Sequence, residues 1–306
     1  MKIVVVGSGA VGGLLGSFLH KGGEDVTFVD IWEEHVKALQ STGLTIVRET
    51  GDEVIPVKAT TKIEEAGGAD LIIVAVKSYD NDQAARDCQR IVRPDTMVLT
   101  VQNGVGNVEA IGAILGHNRI IAGTCAFGCT VLGPGKIRPS ATGSLSIGEL
   151  DGSLTARLKD VVDTFVKAGI EMHISQGVDN LIWTKLMVNV GINALTAITM
   201  LTNGQLLDYE ETISLQDAVV KEGAAVAKAK GIEFMAADIL GHVRDIARST
   251  YANKSSMRQD IERGARTEIN AINGAIVREG KQLAIPTPVN DTLTKLVQVI
   301  EKRGKI

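Results

Sequence analysis

Two patterns in this chain combine residue types and spacings that could do chemistry. The first is Gly7-Ser8-Gly9-Ala10-Val11-Gly12, a G-x-G-x-x-G placed between the apolar run Lys2–Val6 and a helix-forming stretch from Ala10 to Leu19. In that context the first glycine makes a tight turn and the second lets backbone approach a pyrophosphate. The third lets helix and strand pack closely, and the helix N-terminus turns its unpaired N–H groups to the phosphates. A dinucleotide site built from Gly7, Ser8, Gly9, Ala10, Val11 and Gly12 is predicted; away from such flanks the same glycines would be only a turn. Asp30 follows about 20 residues on, where a carboxylate accepts hydrogen bonds from the adenosine ribose and repels a 2′-phosphate. No Arg or Lys falls within residues 31–36, so NADH is favoured over NADPH. The competing reading of Asp30 is a cap on the next helix.

The second pattern is Lys185, Asn189 and Asn193, spaced four apart in a stretch, Trp183–Ile198, otherwise made mostly of Leu, Met, Val, Ile and Ala. On a helix they form one narrow polar line. The rest of that helix is apolar and must be buried. An unpaired neutral polar group in such surroundings costs roughly 2–7 kcal/mol, so the line needs partners, and a ligand cleft supplies them. The alternative, a face open to water, would be broader and richer in Glu, Lys and Arg.

Several single residues have two readings. Glu268 falls on an apolar helical face traced by Ile261, Ala265, Ile272 and Ile276, where a carboxylate is expensive unless paired; it serves either a ligand or a salt bridge with Arg263 or Arg266. Ser256-x-x-Gln259 has the form of a capping box. Asn103 follows the strand Met97–Val101, at the carboxyl edge where doubly wound sheets bind ligands. Lys77 ends the strand Leu71–Val76, facing either a ligand or solvent. Asn203-Gly204 marks a helix C-terminal turn. Cys129 reads as a core thiol.

The elements that must position these residues alternate strand and helix through the first half: Lys2–Val6, Ala10–Leu19, Asp25–Asp30, Glu33–Gln40, short strands at Leu44–Val47 and Glu53–Val57, Leu71–Val76, a helix to about Val92, and Met97–Val101. This alternation predicts a parallel, doubly wound sheet. From Gly123 to Gly148 the texture predicts an antiparallel extension of that sheet, then a helix at Leu154–Ala168 and a last strand at Ile170–Ile174. Beyond Gly177 only helices are expected, broken at Asn203-Gly204, Gly231 and Pro286–Pro288. The fold class is therefore α/β, an N-terminal Rossmann-type doubly wound domain over residues 1–175 and a C-terminal all-helical domain over residues 176–306.

The polar stripe, with Gln102-Asn103-Gly104 upstream and Ser255-Ser256-Met257-Arg258-Gln259-Asp260 and Arg266-Thr267-Glu268-Ile269 through Asn273-Gly274 downstream, resembles the ketopantoate reductase (2-dehydropantoate 2-reductase) family over essentially the whole chain. The resemblance implies hydride transfer from NAD(P)H to the C2 ketone of ketopantoate, giving pantoate for pantothenate synthesis. It makes Lys185 the general acid, protonated at pH 7 by a reference pKa near ~10.4, in a crevice between the domains. It assigns Glu268 to the substrate hydroxyl, Ser256 to its carboxylate, and Asn189, Asn193 and Asn203 to the pocket lining. Asn103 is implied to touch cofactor and substrate, and Lys77 and the Cys129 backbone to touch the cofactor. Family resemblance points to NADPH and to a homodimer. Asp30 departs from it, because well-known members carry an arginine near that point; relatives of the same fold use NAD to reduce other branched 2-oxo acids to D-2-hydroxy acids. Such a D-2-hydroxy-acid dehydrogenase, and a nucleotide sensor that reduces nothing, are the two alternatives.

Composition narrows the field further. Net charge is −4 with 3% aromatic residues, which provides neither the basic field nor the stacking platforms of a nucleic-acid binder. Three cysteines, at 88, 125 and 129, form no disulfide framework, and the five histidines show no metal-ligand spacing. Glycines interrupt the apolar N-terminus, unlike a secretory signal, and no uninterrupted run of ~18 apolar residues spans a bilayer. A cytoplasmic enzyme without nucleic-acid or membrane partners is expected, acting on a small 2-oxo acid.

Overall fold

A computed structural model describes residues 1–140 and 143–303. Positions 141 and 142, within the stretch expected to extend the sheet, and 304–306, at the end of the expected helical domain, lie outside the described residues. The chain divides into two compact units, Met1–Gln102 with Asn107–Val178, and Asn103–Gly106 with Asp179–Ile306.

The first unit runs β1 (Lys2–Val6), α1 (Ala10–Lys21), β2 (Asp25–Val29), α2 (Glu33–Thr42), β3 (Leu44–Ile46), β4 (Glu53–Ile55), β5 (Lys58–Thr60), α3 (Ile63–Ala66), β6 (Leu71–Val74), α4 (Asn81–Cys88), β7 (Met97–Thr100), α5 (Asn107–Leu115), β8 (Ile120–Cys125), β9 (Cys129–Gly133), β10 (Lys136–Pro139), β11 (Ser144–Glu149), α6 (Ala156–Lys167) and β12 (Glu171–Ile174). Eight strands form one sheet in the order β12-β11-β8-β7-β6-β1-β2-β5. All its pairs are parallel except β11 with β8. The central strands are apolar without alternation because both faces are covered, as parallel sheets require. From β1 the chain crosses to β2 on one side and later to β6 on the other, so the turn after β1 lies at a topological switch point.

Sequence and structure differ here in several places, beginning with the unpredicted short helix α3. The strand β5 is an edge of three residues, Lys-Ala-Thr, with no apolar run to announce it. The helix α5 contains Gly112 and follows a glycine-rich turn, so its periodicity is weak. The hairpin β9–β10 does not extend the main sheet. It joins β3 and β4 in a second sheet, ordered β4-β3-β10-β9, through the parallel pairs Lys136↔Thr45 and Ile137↔Ile46. Only β11 and β12 extend the main sheet; the choice was made by pairing across ninety residues, which no local pattern encodes.

The second unit contains α7 (Val178–Thr199), α8 (Glu210–Ala229), α9 (Ile239–Ser249), α10 (Ser256–Glu262), α11 (Asn273–Gln282) and α12 (Pro288–Arg303). Leu186, Met187, Val190 and Leu195 of α7 pack with Val219, Val220, Val243, Ile276 and Leu293 in one core. By length and composition α7 would suffice to cross a membrane, with mean hydropathy 1.4, but 67% of that window is buried inside the protein. It is the central helix of the unit. Glu222 of α8 accepts the backbone N–H groups of Val289 and Asn290, both at 2.9 Å, and so holds the start of α12. Fully buried Asn290 and Asn273 are joined at 3.0 Å, and Asn273 donates to the Val190 carbonyl of α7.

Residues 256–282 are not one helix. At its end α10 closes with Gly264 N–H on the Ile261 carbonyl and Ala265 N–H on the Asp260 carbonyl, the paired bonds of a helix stop. Glu268 therefore lies not on a helical face but at the head of a 3-10 turn, Ile269–Ala271.

Candidate active site

The glycine turn is tightly enclosed at Gly7 and Gly12. Gly7 has φ +92°, and a Cβ there would meet the Val76 backbone nitrogen at 2.6 Å; a Cβ on Gly12 would lie 1.9 Å from the Gly7 carbonyl oxygen. Both must be glycine for internal reasons. At Gly9 a Cβ would meet only Val131 Cγ2, at 3.9 Å. Protein packing leaves this flank open, which fits a turn that admits a phosphate group close to its backbone. Ala10 and Val11 begin α1.

Asp30 lies just beyond β2. Its Oδ2 accepts the Ser8 N–H at 2.7 Å and the Ser8 hydroxyl at 3.0 Å, and its Oδ1 accepts the Trp32 N–H at 3.0 Å. Asp30 is not the N-cap of α2, a position held by Trp32. An ionised carboxylate has about four acceptor sites, so these three bonds orient it and leave capacity for a ribose hydroxyl. Lys77 sits beyond the end of β6, at the head of a 3-10 turn, Ser78–Asp80. Gln102 holds that turn, donating to the Val76 carbonyl at 2.6 Å and to Asn81 Oδ1 at 2.7 Å. Cys129 opens β9, and burial pushes its thiol up to about 12. It is inert at neutral pH.

The other residues belong to the second unit, three of them on α7. Lys185, Asn189 and Asn193 lie on this one helix at i, i+4 and i+8, so they share a face. The Asn189 Nδ2 is shut from water with no hydrogen-bond partner. Near the C-terminal end, the Thr196 and Ser255 hydroxyls share a hydrogen bond of 2.7 Å, which docks the start of α10 on α7. Ser255, rather than Ser256, caps α10, accepting the Arg258 N–H at 3.1 Å. The cap expected at Ser256 thus falls one residue earlier, and the expected capping box does not form, because Arg258 takes the third position and Gln259 donates to the Lys254 carbonyl instead. The tandem serines make the register ambiguous in sequence, and the buried contact to Thr196 selects Ser255. Ser256 is exposed in the first turn.

Asn203 donates its side-chain amide to Thr250 at 3.0 Å, while its Oδ1 is buried without a partner. Glu268 is 7% exposed. Its backbone carbonyl accepts the Ala271 N–H, and the Ala271 carbonyl in turn accepts the Val105 N–H at 3.1 Å. Gly104, at φ +84°, passes so close that a Cβ would lie 2.4 Å from that carbonyl oxygen. The loop carrying Asn103 is therefore seated on the turn carrying Glu268. Arg263, one of the two salt-bridge partners considered for Glu268, is bonded to Asp260 at 2.7 Å. Among the described residues no group of three His, Cys, Asp or Glu could hold a metal ion. Two residues carry local order that the sequence reading did not assign: Ser255 caps α10 and Gln102 holds the turn after Lys77; the signals are the doubled serine and a polar residue at a strand end.

Two family profiles match, "Ketopantoate reductase PanE/ApbA" over residues 3–152 and "Ketopantoate reductase PanE/ApbA C terminal" over residues 178–301. The chain is 37% identical to a 2-dehydropantoate 2-reductase of Pyrococcus horikoshii, covering 99% of each. It is 34% identical to that of Halobacterium salinarum, covering 99% of this chain and 100% of the other. Among solved structures, a PanE/ApbA family ketopantoate reductase from Ralstonia eutropha superposes with a TM-score of 0.93 at 34% identity over 100% of both chains. A D-mandelate dehydrogenase in ternary complex with NADH and anilino(oxo)acetate gives 0.95 at 29% identity, again over 100% of both.

Proposed function

Because the chain belongs to the ketopantoate reductase family, we propose that it reduces the C2 ketone of 2-dehydropantoate to (R)-pantoate, a step of pantothenate synthesis in the cytoplasm, and does so with NADH. The observation that carries this reading is the polar line of α7. It joins an amine, Lys185, to an amide, Asn189, whose buried nitrogen lacks an acceptor. A small substrate rich in oxygen acceptors offers that nitrogen its acceptor.

A bound nicotinamide supplies the hydride. Lys185 hydrogen-bonds the ketone oxygen and delivers a proton to it as negative charge builds. Asn189 and Asn193 orient the substrate along the helix, and Asn203 closes the lining. Glu268, held in a mostly buried turn, accepts the substrate's hydroxyl, and Ser256 donates to its carboxylate. Asn103, seated on the same turn as Glu268, reaches both ligands, while Lys77 and the Cys129 backbone complete the cofactor site. Asp30, already oriented by Ser8 and Trp32, receives the ribose hydroxyls and repels a 2′-phosphate, which supports NADH.

One observation favours a second reading within the same chemistry. The D-mandelate dehydrogenase that superposes at 0.95 was solved with NADH, and the role proposed for Glu268 applies only to a substrate that carries a hydroxyl. Comparing kcat/KM for ketopantoate with that for 2-oxoisovalerate, which lacks the hydroxyl, separates the two. Ketopantoate is expected to be preferred by more than about tenfold. A smaller ratio turns the assignment to a D-2-hydroxy-acid dehydrogenase, and no NADH oxidation with any 2-oxo acid turns it to a nucleotide sensor. The resemblance to relatives also supports a homodimer, which sedimentation would test.

A further inference from the structure

The most unusual polar group outside the residues already assigned is His35, in the first turn of α2. It is fully buried and bridges two backbone groups from distant parts of the first unit. Its Nδ1 accepts the Gly135 N–H at 3.0 Å, and its Nε2 lies 3.0 Å from the Ser8 carbonyl oxygen. An amide N–H can only donate, so Nδ1 must be bare. The proton of the neutral ring is then on Nε2 and is donated to Ser8. The indole of Trp32 stacks on the ring at 5.2 Å and 11°, which fixes its plane.

Ser8 is the second residue of the glycine turn and is itself fully buried. Asp30 takes its N–H and hydroxyl, and His35 takes its carbonyl. In a trans peptide the next N–H points opposite to the carbonyl. With the Ser8 carbonyl drawn to the imidazole, the Gly9 N–H is turned away from it. Gly9 is also the glycine whose flank the protein leaves open.

We infer that His35 is a positioning residue of the dinucleotide site: it sets the Ser8–Gly9 peptide so that the Gly9 N–H faces the pyrophosphate, and it ties that setting to the β9–β10 turn. Backbone donors held in place before binding need not be ordered by the ligand, which raises affinity. This rests on the nicotinamide reading above.

Three substitutions test it. In His35→Gln the amide nitrogen can reach the place of Nε2 and keep the bond to Ser8. In His35→Asn the amide oxygen can reach the place of Nδ1 and keep only the bond to Gly135. In His35→Phe the stacking survives without either bond. Calorimetric Kd for NADH is expected to rise at least tenfold in Asn and Phe and to stay within threefold in Gln. Amide hydrogen exchange of residues 7–13 in the cofactor-free protein should quicken in Asn and Phe alone. An Asn variant within threefold of wild type, or a Gln variant weakened as far as Asn, overturns the inference. Should Phe fail to fold, the Gln–Asn comparison decides. Wild-type protein that binds neither NADH nor NADPH would instead remove the nicotinamide reading.

Discussion

On α7 about one turn of helix separates each polar side chain from the next, so Lys185, Asn189 and Asn193 share one face of a single helix, the face proposed to hold the substrate. In the proposed mechanism, removing the proton donor leaves the alkoxide uncompensated. Lys185→Ala should therefore lower kcat by at least ~100-fold, the usual loss for an acid–base group; single-turnover kinetics check it, and a rate within threefold of wild type removes Lys185 from the mechanism. Asn189 makes a sharper test because function and stability pull in opposite directions. Its buried nitrogen has no partner in the protein, and an unsatisfied donor costs about 1–3 kcal/mol. Asn189→Leu is expected to leave stability unchanged or raise it by about 1 kcal/mol, while KM for the 2-oxo acid rises at least tenfold. A loss of stability on urea unfolding would mean that the amide is structural.

At the scale of elements, short segments dock on α7. The start of α10 is fixed twice, by the Ser255 cap and by the bond from Ser255 to Thr196. The neighbouring serines are consequently expected to have separable roles. Ser255→Ala should cost about 1–2 kcal/mol, the range for a lost cap. Ser256→Ala should stay within about 0.5 kcal/mol, as exposed positions do, and act on KM for the substrate instead. Denaturation midpoints and steady-state kinetics on both variants give the comparison; equal stability losses would return the cap to Ser256. The same logic explains the 103–106 loop, which leaves the strand order of the first unit to sit on the Ala271 carbonyl.

At the scale of the molecule, acid sensitivity follows from carboxylates buried in the first unit. Burial pushes the Glu149 carboxyl up, but hydrogen bonds from Arg157 and Thr155 outweigh it and hold the group below its ordinary value of 4.5. Glu24 is held down in the same way by the N-terminal ammonium and Lys167. A folded pKa below the unfolded one means stability that is complete above the ordinary glutamate range and is lost as pH falls through the lower folded value. Urea midpoints should thus be level from pH 7 to about 5 and drop steeply below about 4.5. Arg157→Met leaves Glu149, 4% exposed, without its cation and should cost about 2–3 kcal/mol at pH 7, somewhat under the loss for a fully buried pair, with a flatter acid limb. An unchanged limb would mean that other groups control acid unfolding.

What could be read from the residues alone was whatever is local. Strand–glycine–helix at residues 2–19, an acidic residue after the second strand, and three polar side chains at a spacing of four each encode their geometry within one or two elements. The Rossmann-type order, the helical second unit and the α7 stripe were legible for that reason. Tertiary structure decided the rest. It sent β9–β10 to β3 rather than to the main sheet, broke the helix before Glu268, chose Ser255 over its neighbour, and brought His35 to Ser8 across 27 residues. Each of these choices depends on contacts between segments far apart in the chain, whose energies no window of sequence contains.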